Sequence, residues 1–317
     1  MSWLSGRKKY PGWLALQMHD DYVEVVHVRR GTNGQPEVAL CDSFRKEESD
    51  VSTLARLRKE LKLNKYRCTT LLPAQHYQLH EVDAPGVPLP EMKAAVHWRM
   101  KDLIDYPIES ATVDVLRIPG DADAPDRPAA VYGVTARTSA VEACIAPFAA
   151  ARIALEAVDI RELAQRNIAA LFEAEDRGIA MLAFYPGEGM LTFTRRGELY
   201  AARRIEIAVA DLLGDDAQQR DELFGRIALE VQRSLDHFER QYHYVPLAKL
   251  LLAPLPRQVG LEEFLASSID GVVESADLGS TIDFPGAPEL GTAPRSTASV
   301  PEVAPATAGR NGPTTSA

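Results

Sequence analysis

Residues 179–205 read IAMLAFYPGEGMLTFTRRGELYAARRI, which parses into three strands and two turns. Segments 179–185, 190–195 and 198–205 are rich in branched, aromatic and alternating apolar residues, which suit a pleated, half-buried surface. Pro186-Gly187-Glu188-Gly189 and Arg195-Arg196-Gly197 between them carry the turn chemistry of tight hairpins. The stretch therefore predicts an antiparallel three-stranded meander. A helix is expected next, over 218–242, with Phe224, Ile227, Val231, Leu235 and Phe238 on one apolar stripe, and then a strand over 249–253.

The same order stands at the start of the chain. Segments 13–18, 22–30 and 36–44 read as strands, with Gly31-Thr32-Asn33-Gly34 as the turn between the last two. A helix over 52–63 carries Leu54, Leu57 and Leu61 at helical spacing, and 67–72 reads as a buried strand stopped by Pro73. A β-β-β-α-β unit occurring twice is the pattern of a ribonuclease-H-like fold, and two such units make an actin-like α/β (α+β) architecture.

The expected division follows from this repeat. Residues 1–74 form the first half of lobe 1, 75–157 an inserted small α+β subdomain, 158–178 a return helix to lobe 1, and 179–284 lobe 2. The insert is expected to hold a helix begun at Pro90, strands over 111–118 and 130–136, and a helix over 139–152. The acidic, proline-containing loop 119–128 reads as exposed and mobile. From Pro285 onward Pro, Ala, Thr, Ser and Gly dominate, so 285–317 reads as a disordered tail that lacks the apolar side chains to offset ordering entropy.

Composition narrows the partners. A formal net charge of −10, from 35 Lys and Arg against 45 Asp and Glu, argues against a general nucleic-acid binder, which needs basic clusters unopposed by acids. Cys41, Cys68 and Cys144 are widely spaced with no Cys-x-x-Cys pair, and read as free, buried apolar residues in a reducing compartment. Arg7, Lys8 and Lys9 are followed by no apolar leader, and no run is long enough to predict a transmembrane segment. Trp3 and Leu4 beside those basic residues offer a minor membrane-surface contact, against the plainer reading of a frayed terminus.

Other chemistry is weakly marked. Gly187-Glu188-Gly189 resembles a phosphate loop but lacks a third glycine and a helix start, so it reads as a hairpin turn. His76 and His80 have no zinc-like companions, and no Gly-x-Ser-x-Gly elbow occurs. Arg99, Lys101, Asp102 and Asp105 read as solvated charges beside a helix whose Met92, Val96, Met100 and Leu103 face a core. Gln232, Arg233 and Asp236 read as a buried hydrogen-bond network fixing the long helix.

Four stretches carry a family resemblance: 71–78 (LLPAQHYQ), 98–107 (WRMKDLIDYP), 158–167 (VDIRELAQRN) and 229–238 (LEVQRSLDHF). The last two in this order are the more specific. Over roughly 13–265 the chain resembles the PilM family of type IV pilus assembly proteins, and within it the MshI branch of mannose-sensitive haemagglutinin (MSHA) pili. The resemblance implies an actin-like cytoplasmic protein, peripheral at the inner membrane. It implies that the cytoplasmic N-terminal peptide of a PilN-like (MshJ-type) inner-membrane protein is gripped in a groove beside the insert, with the pilus motor ATPase as a further contact. The groove would be made by residues around 72–106, with Leu72, Tyr77, Trp98, Arg99, Asp102 and Tyr106 as candidates.

Actin-like ATPases hold phosphates with two hairpins in which a carboxylate positions metal and water while glycine admits backbone amides. On the resemblance, Gln17 stands at the first-hairpin Asp position, His19 at its Gly position and Glu24 where Lys is usual. Ala183 and Tyr185 stand at the second-hairpin Asp and Gly positions, and Ala253-Pro254 replaces the adenosine-site Gly-Gly. Asp20 and Asp21 read as turn formers in the first hairpin. The expectation is a non-catalytic adaptor with no cofactor. The alternatives are a divergent ATPase using ATP with Mg, or a cytoplasmic domain like GspL of type II secretion.

Overall fold

The computed structural model describes residues 9–121, 129–174, 176–214 and 216–288. Strands β1 (Trp13–Met18), β2 (Tyr22–Arg30) and β3 (Pro36–Arg45) form an antiparallel meander, in which Leu14 faces His27 and Val26 faces Cys41. Helix α1 (Asp50–Glu60) starts at a capping box, with Ser49 and Ser52 each satisfying the other's backbone N–H. It presses Leu54 and Leu57 onto Leu14, Leu16, Val23 and Val25. Strand β4 (Cys68–Leu71) then runs parallel to β1.

The insert leaves the first unit here. Strand β5 (Tyr77–Asp83), helix α2 (Leu89–Arg99), and strands β6 (Ala111–Arg117) and β7 (Ala130–Arg137) give a three-stranded antiparallel sheet ordered β5-β7-β6. Val96 and Met100 cover it, over Val113 and Val131. The chain returns through α3 (Thr138–Ala150), β8 (Leu155–Asp159) and α4 (Arg161–Ala169). Strand β8 completes a five-stranded sheet ordered β3-β2-β1-β4-β8, and Phe148, Ala151 and Ile153 join the α1 core. The insert therefore closes at β7, and α3 and β8 belong with the first sheet rather than with an insert running to 157.

The second unit repeats the first. Strands β9 (Gly178–Phe184), β10 (Gly189–Arg195) and β11 (Glu198–Ile205) form its meander, and α5 (Val209–Leu212), α6 (Ala217–Gln241), β12 (Leu247–Leu252), α7 (Leu261–Ser268) and β13 (Val273–Ser275) follow. The sheet order β11-β10-β9-β12-β13 matches that of the first sheet strand for strand. Asp216 caps α6 by accepting from the backbone N–H of Gln218 and Gln219. The α6 stripe buries Phe224, Ile227, Val231 and Phe238, and Phe238 stacks on Phe193 of β10 at 4.4 Å between ring centroids. Two ribonuclease-H-like units with an inserted α+β subdomain make the fold actin-like.

Helix α4 lies between the two sheets. Ile168 in its last turn and Leu171 just past it pack against Val26, Val28 and Val38 of the first sheet, while Ala169 and Ile168 pack against Ile179, Met181 and Leu251 of the second. The insert reaches the second unit as well. Tyr132 and Ile118 share the second core, Tyr132 Oη donates to the Tyr200 carbonyl at 3.0 Å, and Glu81 accepts from Gln241 Nε2 at 2.5 Å.

Several expectations need correction. Leu103 is 46% exposed, because the chain leaves helix α2 as a 3₁₀ turn at Met100 and rotates Leu103 outward. Gln232, Arg233 and Asp236 do not form a buried network: Gln232 donates to Asp236 and Arg233 to Glu230 on the outer face of α6. Cys68 is buried, but Cys41 and Cys144 are only partly so. Pro285 does not begin a disordered tail. The Gly286 N–H donates to the Val38 carbonyl, Ala287 is buried, and a Cβ at position 286 would lie 2.3 Å from Ala39 backbone atoms, so glycine is required there. The tail beyond 288, loop residues 122–128 and the Trp3-Leu4 terminus lie outside the described residues. Among the described residues no helix is long and apolar enough to cross a membrane.

Candidate functional site

The hairpins that the resemblance aligns with the phosphate-holding ones of actin-like ATPases are β1–β2 and β9–β10. Gln17 pairs with Glu24 across the first ladder, and antiparallel partners share a face. The Gln17 Oε1 atom is buried without a hydrogen-bond partner. His19 closes the turn: its N–H donates to the Tyr22 carbonyl, its ring stacks on Tyr22 at 4.3 Å, and its Nε2 lies 3.0 Å from Glu24 Oε2. Asp20 and Asp21 are exposed at the tip. The first hairpin is thus filled by a His–Glu–Tyr contact set rather than by a carboxylate and a glycine.

In the second hairpin Ala183 is buried on β9 opposite Met190. Tyr185 follows β9, and its N–H donates to the Glu188 carbonyl to close the turn. The Tyr185 hydroxyl donates to Gln165 Oε1 at 2.9 Å, and the Arg161 guanidinium lies over its ring at 4.1 Å. Gln165 is 3% exposed, and its Nε2 is within hydrogen-bond range of the Met181 and Met190 carbonyls and of Thr192 Oγ1. Ala253 donates its N–H to the Leu182 carbonyl and packs in the apolar layer under α4, with Pro254 next in the chain.

An ionic junction joins these groups to the insert. Glu162, 2% exposed at its side chain, accepts from Tyr77 Oη at 2.5 Å and from Arg204 Nη2 at 3.1 Å. Arg204 also donates to the Ala74 carbonyl and lies over the Tyr77 ring. Arg161 Nη1 donates to Glu188 Oε1 at 3.1 Å, and Arg204 Nε is 3.8 Å from that oxygen. Burial is the largest cause pushing the Tyr77 phenol pKa up, with the Glu162 carboxylate adding to it, so Tyr77 stays a neutral donor. Burial also raises the Asp159 carboxyl, at the end of β8 beside this helix.

The partner candidates separate into two groups. Leu72 and Tyr77, expected to help form the partner groove, are buried at 6% and 3% in the apolar layer with Ala136 and Ile160, and the Tyr77 hydroxyl belongs to the junction. Trp98 is 66% exposed at the end of α2. Arg99 donates to the Asp83 carbonyl, Asp102 is exposed, and half-buried Tyr106 lies under the Arg137 guanidinium at 4.2 Å. Arg161, Glu162 and Gln165 lie in the 158–167 stretch and Glu188 in the hairpin turn read from sequence, but neither they nor Arg204 were named there as site residues. Their signal was the polar side of α4, with Glu162 and Gln165 three residues apart on a helix buried between two sheets. Among the described residues no group of three or more His, Cys, Asp or Glu is placed to hold a metal ion.

No family model and no curated protein matches the chain. A solved structure, described as the PilM-PilN type IV pilus biogenesis complex, matches with a TM-score of 0.62 at 20% identity, over 86% of this chain and 90% of that one. The chain shares that fold. Two more distant likenesses are the cytoplasmic domain of EpsL, an inner membrane component of the type II secretion system of Vibrio cholerae, and a Bacteroides thetaiotaomicron protein with an actin-like ATPase fold and unknown function. The first has a TM-score of 0.47 at 12% identity over 83% and 88% of the two chains, and the second 0.42 at 10% over 90% and 93%. At those scores neither carries weight.

Proposed function

We propose that the chain is a nucleotide-free cytoplasmic adaptor of type IV pilus assembly, of the MSHA kind, peripheral at the inner membrane. It would grip the cytoplasmic N-terminal segment of a PilN-like, MshJ-type membrane protein and pass load to the pilus motor. The observation that carries this is the fold likeness, across 86% of the chain, to a protein solved as part of a PilM-PilN complex. Filled hairpins support the nucleotide-free part. Tyr185, pinned by Arg161 and Gln165, stands on the resemblance where close backbone approach to a phosphate would need glycine, and Glu24 stands where the family usually has Lys, so its carboxylate would repel a phosphate.

The partner surface is proposed at Trp98, Arg99, Asp102 and Tyr106 on the insert. An exposed indole beside charged groups is the composition of an interface anchor with a polar rim. The test is co-purification of the full chain with the neighbouring PilN-like protein from detergent-solubilised membranes. Recovery of the membrane protein without added nucleotide, and its reduction about tenfold by Trp98→Ala, a ~1.4 kcal/mol loss, are expected. Equal recovery by a non-binding bait protein would contradict the reading.

A further inference from the structure

Two guanidiniums converge on one carboxylate in the turn of the β9–β10 hairpin. Arg161 Nη1 is 3.1 Å and Arg204 Nε 3.8 Å from the same Glu188 Oε1 atom. The Arg161 and Glu188 side chains are only 15% and 19% exposed, so the contact is largely withdrawn from water, where charge-assisted hydrogen bonds are strongest. Both arginines are also held from behind. Arg161 lies over the Tyr185 ring, while Arg204 lies over Tyr77 and donates to Glu162 and the Ala74 carbonyl. Guanidiniums fixed in this way are preorganised receivers of an oxyanion.

Of these carboxylates, Glu188 is shared by both arginines, and Glu162 is held by Arg204. Glu162 is sequestered by Tyr77 and Arg204, whereas Glu188 stands in a four-residue turn between Gly187 and Gly189. Its side chain is the removable member of the set.

We infer that Arg161 and Arg204 form an oxyanion site that the protein fills with its own Glu188 carboxylate, and that inorganic phosphate or sulfate takes that place once the carboxylate is removed. The junction between the insert, α4 and the second hairpin is thereby closed by a counter-ion tethered to the chain, whose local concentration does not depend on any ligand in the cell. This deepens the nucleotide-free reading and rests on it. The two fail separately, since stabilisation of the unaltered chain by Mg-ATP sinks that reading without reference to any variant.

The experiment compares the full chain, Glu188→Ala and Glu188→Ala/Arg161→Ala in thermal melts, with chloride replaced by phosphate at constant ionic strength. The single variant is expected to melt below the unaltered chain in chloride and to recover more than half of the loss in phosphate, with a saturating dose response. The other two proteins should show only the shallow rise that excluded salts give any protein. If Glu188→Ala is unfolded in chloride, a fold regained in phosphate but not in chloride supports the inference, and failure in both anions overturns it. Three parallel shallow rises overturn it as well.

Discussion

Tyr185 and His19, which the resemblance sets at the two glycine positions of an actin-like nucleotide site, are each held on more than one side. A glycine there works by leaving room for backbone to meet a ligand, and a pinned aromatic ring removes that room. The residue types at these positions are legible in the sequence, because a missing Asp or Gly is visible as a letter. Arg204 and Glu188 were not legible, because they meet only through the pairing of β10 with β11 and the docking of α4. His27 gives a pH prediction. It is 6% exposed and its Nε2–H donates to the Pro11 carbonyl at 2.9 Å; burial is the main cause lowering its pKa, Arg29 adds to this, and the Pro11 carbonyl and Glu37 oppose it. A histidine kept neutral by folding contributes stability that is full above the unfolded value of about 6.5 and is lost as pH falls from there through the lowered folded value. Melting temperature between pH 7.5 and 5.5 should therefore fall more for the natural chain than for His27→Gln. Equal slopes would show that the imidazole is not held neutral.

The strands and the two principal helices could be placed from pattern alone, since period-two and period-3.6 burial leave strong marks in residues 13–72 and 179–253. Strands β5, β8 and β13 escaped. β13 is three residues long, and β5 carries polar residues on its outer side. β8 reads as part of the insert until one sees that it pairs in parallel with β4. A parallel partner far along the chain leaves no local signature. Helix α6 packs on β10 through Phe238 and Phe193, which are 2% and 1% exposed with their rings near parallel. Phe238→Ala should lower unfolding free energy by about 3–5 kcal/mol, read from the urea midpoint at unchanged slope. A loss below about 1 kcal/mol would mean that the ring does not pack as described.

The repeated strand order makes two sheets of one design face each other across α4, with the insert bridging from the first unit to the second through Tyr132, Glu81 and Tyr244. This arrangement explains how an actin-like frame can hold its lobes with no ligand between them. The seam is occupied by Ile168, Ala169 and Gln165 of α4, and its mouth by the Glu162–Arg204–Glu188–Arg161 junction. On the proposed reading a triphosphate adds nothing that this seam lacks, and a ligand without differential affinity shifts no equilibrium. The most direct measurement is isothermal titration of the full chain with a synthetic peptide matching the cytoplasmic N-terminus of the PilN-like protein, run without nucleotide and again with millimolar Mg-ATP. Saturable 1:1 binding with the same Kd in both runs is the predicted result; no binding without nucleotide, or binding that appears only with Mg-ATP, would contradict the account.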